Sequence, residues 1–200
     1  RGPNSPAVVS MVQRFVESGS AQCVLGNHDL NILLGEKRLM EIKNDNHWFF
    51  GEKWALDDSD EPTPAVLADA AMRRTIVEFF QTLPLALERD DVRVVHACWD
   101  DTMVAIARQA SDIVTLYKQH NDQIDVDHNS KPELDKIDRG LEHQNLNPVK
   151  VLSSGKERRV EPPVFASGKW RHEERVQWWE DYDAAPPVVF GHYSLYRGYS

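Results

Sequence analysis

Cysteine is nearly absent from this chain, with only Cys23 and Cys98 among 200 residues. Each sits in an apolar run, where a thiol behaves as a small hydrophobe. A disulfide-stapled secreted scaffold is thereby excluded, and a reduced, cytoplasmic setting is expected. Long hydrophobic stretches are lacking as well: no apolar run approaches the roughly 20 residues that cross a bilayer, and no secretory segment is present, so no membrane partner is expected. Positive charge is also in deficit. The 23 Lys plus Arg face 32 Asp plus Glu, a net charge of -9, which repels duplex nucleic acid wherever the surface follows the average. A small phosphorylated substrate remains open, because a metal and a few arginines can invert the local field in an acidic protein.

The apolar content, 41%, suffices for one sizeable core, and residues 1–200 read as one domain without internal repeats or low-complexity tracts. The first residue is Arg1, and the first methionine, Met11, lies inside an apolar-periodic segment, so further natural sequence is expected upstream.

Over residues 5–18, Ala7, Val8, Met11, Val12, Phe15 and Val16 recur at helical spacing, with Pro6 suited to a first turn and Gly19 just past the end. A buried strand is expected over residues 21–25, ending at Gly26. Residues 57–64 read as a solvated loop and residues 65–83 as a second helix. Residues 85–88 and 92–97 read as the arms of a β-hairpin, and Asp100 and Asp101 as caps of a helix reaching about Lys118. Residues 119–150 are polar and show no clear apolar period. Residues 186–190 form a last short strand that stops at Gly191.

Three of these strand-like runs end in a histidine: His28 after Gly26 and Asn27, His96 after Val95, and His192 after Gly191. A single strand-end histidine is ordinarily a surface or satisfied core residue. Three together are another matter, since ligands from separate strands of one sheet can converge, and imidazole suits a divalent transition metal. The glycines allow the sharp turns that would bring such side chains to a sheet edge.

Gly26-Asn27-His28-Asp29, Val95-His96-Ala97 and Gly191-His192 resemble, in order and context, the later motifs of calcineurin-like metallophosphoesterases. Arg1-Gly2-Pro3-Asn4-Ser5 resembles the tail of an earlier motif in the bacterial branch that includes symmetrical diadenosine tetraphosphatases and phosphoprotein phosphatases. The resemblance implies a layered α/β/β/α sandwich with two mixed sheets. It also implies hydrolysis of phosphoesters, in a phosphoprotein or a nucleotide polyphosphate, by water activated by two divalent ions, without a covalent phosphoenzyme. Manganese is the first choice, with iron, zinc or nickel as alternatives. By the same resemblance, Asn27, His96 and His192 are metal ligands and His28 protonates the leaving group. Arg1 grips phosphate with its planar fork, and Asn27 also touches it. His192 is followed by Tyr193 and Ser194, not by a second histidine two positions on, which agrees with the protein-phosphatase-like branch. The family's opening Asp-x-His motif, its bridging aspartate and its last strand are not found in these residues. They are expected in a longer protein; otherwise the chain is a catalytically silent phosphate-binding or scaffold relative.

Lys169-Trp170-Arg171-His172, with Arg175, is a basic and aromatic cluster from which Arg171 or Arg175 could hold phosphate. The alternative is a solvated face with Trp178 and Trp179 packed in the core. Ser153-Ser154-Gly155-Lys156 lacks the full P-loop pattern and reads as a turn. His120, His128 and His143, among Asp122, Asp125 and Asp127, read as a solvated loop, not a metal cluster. They also fail the EF-hand pattern. The two cysteines read as core packing, not as nucleophiles.

Overall fold

Side-chain caps written into the sequence set most helix starts. A computed structural model describes residues 3–35, 46–51, 54–56, 62–64, 66–166, 169–183 and 185–193. The chain divides into two compact units, Arg1–Pro84 and Leu85–Ser200.

In the first unit, Asn4 accepts the Ala7 N–H at 3.2 Å and opens helix α1, Ser5–Glu17, with Pro6 where its missing N–H costs nothing. The helix forms as expected, yet its apolar positions Val8, Met11 and Phe15 stay 56%, 46% and 51% exposed. Residues 21–26 form no strand ladder. That expectation is corrected to an extended segment pinned by Leu25 N–H to the Pro84 carbonyl at 2.8 Å, with Leu25 fully buried.

Helix α2, Asn27–Leu33, and the short α3, His47–Phe50, follow. Strands β1, Trp54–Leu56, and β2, Pro62–Pro64, pair antiparallel. Residues 62–64, expected as loop, are thus ladder; residues 57–61 of that expected loop lie outside the described residues. Helix α4, Ala70–Thr82, starts later than the apolar pattern suggests, because Asp69 caps it by accepting the Met72 N–H at 2.8 Å. Ile76, Phe79 and Phe80 of α4 share the unit's core with Leu30, Ile32, Trp48 and Phe49.

The second unit opens on the expected hairpin. Strands β3, Ala86–Glu88, and β4, Arg93–Val95, pair antiparallel with Leu87 opposite Val94. The expected helix to Lys118 is two helices: α5, Asp101–Arg108, and α6, Ile113–Asn129. Asp112 restarts the chain as an N-cap, accepting the Thr115 N–H at 2.6 Å. The polar stretch beyond it is helical too, with α7, Lys136–Leu146, and α8, Pro148–Ser154. A long antiparallel ribbon comes next, β5, Glu157–Ala166, and β6, Lys169–Arg175. Its pairing shifts between Arg159 and Val164, where Pro162 and Pro163 have no N–H to donate. A 3₁₀ turn, Trp178–Glu180, leads to β7, Val188–Val189.

β7 lies parallel to β4, so β3, β4 and β7 make a mixed sheet of three strands. Among the described residues this is the mixed sheet; the other two sheets are two-stranded and antiparallel. The fold is α/β, with helices and small sheets. No helix of the described residues is long and apolar enough to cross a membrane. Val95, Ala97, Cys98, Val149, Val151 and Leu152 are at most 1% exposed. They form the core directly behind the end of β4.

Candidate functional site

The register of two parallel strands brings two of the sequence-selected histidines together. Arg93 pairs with Val188 and Val94 with Val189; two residues further on, the Gly191 N–H donates to the His96 carbonyl at 3.1 Å. His96 therefore leaves the end of β4 beside Gly191 and His192. Their imidazole rings lie 5.3 Å apart between centroids, at 69°. A Cβ on Gly191 would meet the His96 carbonyl oxygen at 3.7 Å, an ordinary contact, so this glycine is compatible with the close approach but not demanded by it. His192 is the positive-φ non-glycine residue of the described chain, at φ 68°. Such a conformation costs about 1–3 kcal/mol and persists only where the surroundings enforce it.

Those surroundings are aromatic and dense. The Trp178 indole N–H donates to the Ala97 carbonyl at 3.1 Å, and the Trp178 ring meets Phe190 at 4.8 Å. Trp179 stacks on Phe190 at 5.3 Å and meets Tyr193 edge-on at 4.8 Å. From the other side, the Ala97 N–H donates to the Leu152 carbonyl at 3.0 Å, tying the end of β4 to α8. Gly155, at the end of α8, has φ 82°, and a Cβ there would stand 2.0 Å from the Tyr193 hydroxyl oxygen. The left-handed φ favours glycine there, and any side chain would also have to displace the Tyr193 ring. Ser153 and Ser154 are the last residues of α8 and Gly155 its C-cap, so the turn expected over residues 153–156 is corrected to a helix end.

Asp100 caps α5 and lies 2.5 Å from Lys156. Burial pushes its carboxyl up, but the Lys156 ammonium and the Met103 N–H outweigh burial and hold it below the usual carboxylate range. Burial raises the Cys98 thiol to about 12, and burial together with the nearby Asp29 charge also raises Cys23. Neither thiol is ionised near neutrality, in keeping with core packing.

Asn27 and His28 belong to the first unit, as the first two residues of α2. Both are partly exposed. The Asp29 carboxylate accepts the Gly26 N–H at 3.0 Å, which fixes the turn from the extended segment into the helix. Arg1 lies outside the described residues. Arg171 is on β6, 30% exposed and 3.7 Å from Glu173; Arg175, on the same strand, is 3.6 Å from Glu157. The basic cluster is thus part of a β-ribbon, with Trp170 69% exposed and Trp178 buried at 9%.

Sequence reasoning missed a second histidine pair. His128 and His143 were expected in a solvated loop, but they sit on α6 and α7, with His128 only 3% exposed. Their rings meet at 5.0 Å and 88°. His128 Nε2 is 3.1 Å from Glu142, and His143 Nε2 is 3.0 Å from Asp125. The signals in the sequence were the caps: Asp135 accepts the Ile137 and Asp138 N–H groups, and Asn147 accepts those of Val149 and Lys150. These caps define the helices that an apolar pattern alone conceals.

Two imidazoles thus meet edge-on at adjoining ends of parallel strands, and imidazole is a side chain that can ligate a divalent transition metal. Along its sequence the chain is 31% identical over 121 residues to the symmetrical bis(5'-nucleosyl)-tetraphosphatase of Vibrio campbellii. That match takes in 57% of this chain and 38% of the relative, so the chain spans well under half of the relative's length. The similarity supports a distant metallophosphoesterase-like relationship. No family model matches the chain, and no solved structure matches it.

Proposed function

We propose that this chain is part of a metal-dependent phosphoester hydrolase acting on a nucleotide polyphosphate or a phosphoprotein, and that it supplies the histidine ligands of one metal. The observation that supports this reading is the His96 and His192 pair, its rings 5.3 Å apart at neighbouring strand ends. Its enforced positive φ at His192 is the kind of local strain that collects at functional sites. Neutral imidazoles suit manganese, iron, zinc or nickel. In this reading Asn27 is a further ligand. His28 carries the proton delivered to the leaving-group oxygen, and Arg1, Asn27 and Arg171 hold the phosphate. A bound phosphate would compete with Glu173 for the Arg171 guanidinium. Divalent metal, two ions in the intact protein, supplies polarisation of the phosphoester and offsets the negative charge that repels an incoming hydroxide. A single domain over residues 1–200 and a layered α/β/β/α sandwich with two mixed sheets belong to the same reading.

The test is manganese-dependent hydrolysis of p-nitrophenyl phosphate and diadenosine tetraphosphate by the full-length protein, with metal content measured alongside. His28→Ala is expected to slow turnover and leave metal content near normal, whereas His96→Ala and His192→Ala lower metal content itself. Equal metal loss in all three would overturn the division of roles. Absence of hydrolysis in the unaltered protein would overturn the enzyme reading in favour of a silent phosphate-binding relative.

A further inference from the structure

Helices α6 and α7 hold the other histidine pair in a setting of a different kind. Asp125 and His128, three residues apart, share one face near the end of α6, and His143 reaches them from α7. One ligand atom from each of these three residues lies within 4.8 Å of the others. A fourth donor, Glu142, contacts His128 Nε2 at 3.1 Å and is itself paired with Lys131 at 3.1 Å. His143 Nδ1 is shielded from solvent and has no hydrogen-bond partner in the structure, an unusual state for a buried ring nitrogen.

We infer that the α6–α7 hairpin carries a structural site for a zinc-like divalent ion, with Asp125, His128 and His143 as ligands and Glu142 orienting His128. The residue types are those of a nitrogen and oxygen zinc site, and a carboxylate paired to a ligating histidine is the usual way its ring is held. Ligand atoms on a tetrahedral ion at about 2.0–2.2 Å stand roughly 3.4 Å apart, so closing the site requires side-chain adjustments of about an ångström. The last turn of α6 adds its carbonyl ends, which favour a cation. An ion there would cross-link two helices with few buried apolar side chains: α7 has no buried residue, and the apolar residues that α6 buries are Leu116 and Ile124. The site is independent of the phosphoesterase reading.

The experiment uses the whole chain carrying His96→Ala and His192→Ala, so that the strand-end pair cannot contribute. Zinc binding is followed by competition with a chromogenic chelator, cobalt by its visible absorption, and stability by thermal unfolding. The expected result is one equivalent of zinc with a dissociation constant of about 1 μM or tighter, a tetrahedral cobalt spectrum, and a melting midpoint that rises with zinc. Adding His143→Ala is expected to weaken zinc binding by about 100-fold or more and abolish the melting shift. His120→Ala, on the same helix, leaves both unchanged. Asp125 is 65% exposed, so Asp125→Asn provides a second variant that keeps the fold if His143→Ala does not. No saturable zinc binding below about 100 μM, or binding that survives both His143→Ala and Asp125→Asn, would overturn the inference.

Discussion

The second unit contains two histidine pairs of nearly the same internal geometry, 5.3 Å and 69° at the strand ends, 5.0 Å and 88° between the helices. They differ in what holds them. His128 and His143 are each set against a carboxylate, Glu142 and Asp125. His96 and His192 are positioned by the backbone: a parallel register, the Gly191 N–H on the His96 carbonyl, and a left-handed φ braced by Trp178, Trp179, Phe190 and Tyr193. Ring proximity alone therefore says little. The helix pair stands beside two carboxylates, donors of the kind that complete an ion's coordination sphere, whereas the strand-end pair takes its place from strand register and aromatic packing.

The largest expected effect would break the first pair chemically. His96→Ala or His192→Ala in the full-length protein should reduce manganese-dependent phosphoester hydrolysis by about 100-fold or more, while His143→Ala leaves it unchanged; steady-state rates on p-nitrophenyl phosphate check this. Next comes the element that joins the two regions. Asn147 is fully buried, caps α8 and donates to the Tyr117 carbonyl and to Asn121 Oδ1 of α6, and α8 in turn holds the end of β4. Asn147→Ala should cost about 2–4 kcal/mol, the loss of a cap plus orphaned buried partners, as read by denaturant unfolding.

Gly155→Ala should cost about 1–3 kcal/mol through its backbone conformation and displace Tyr193. Gly155→Ala with Tyr193→Ala should relieve the collision but not the backbone cost, so unfolding of both variants separates the two contributions.

The smallest effect is electrostatic. Arg108, then Arg93, donates to the Glu88 carboxylate and holds it below its ordinary value of 4.5. The folded value is thus lower than the unfolded one, so the stabilisation is complete above about 4.5 and disappears as pH falls through the folded value. Glu88→Gln should lower the melting midpoint slightly at pH 7 and make no difference well below pH 4.5. A pH series of melting curves for both proteins tests the sign, with the effect shrinking at high salt because the pair is near the surface.

These regions also differ in how far their residues announced them. The β3–β4 hairpin, helix α1 and the strand before Gly191 were legible because apolar periodicity and turn residues agreed. The meeting of His96 with His192 followed from two such strands ending alike, although their parallel pairing is a tertiary fact that no local pattern carries. The α6–α8 segment was obscured because its buried positions include His128 and Asn147, satisfied by partners distant in sequence, and Ser153, whose hydroxyl donates within its own helix to the Val149 carbonyl, and because α7 has no buried residue. There the caps Asp112, Asp135 and Asn147 were the informative letters. The β5–β6 ribbon, rich in charge and interrupted by Pro162 and Pro163, has neither a helical nor a strand-like apolar period.

The central claim is that His96 and His192 share a divalent ion. Following all eight histidine ring signals by NMR during a manganese titration tests it directly. His96 and His192 are expected to broaden together at the lowest metal concentrations, and each to lose that response when the other is replaced by alanine. Independent broadening of the two, or none while manganese is in millimolar excess, would contradict the account.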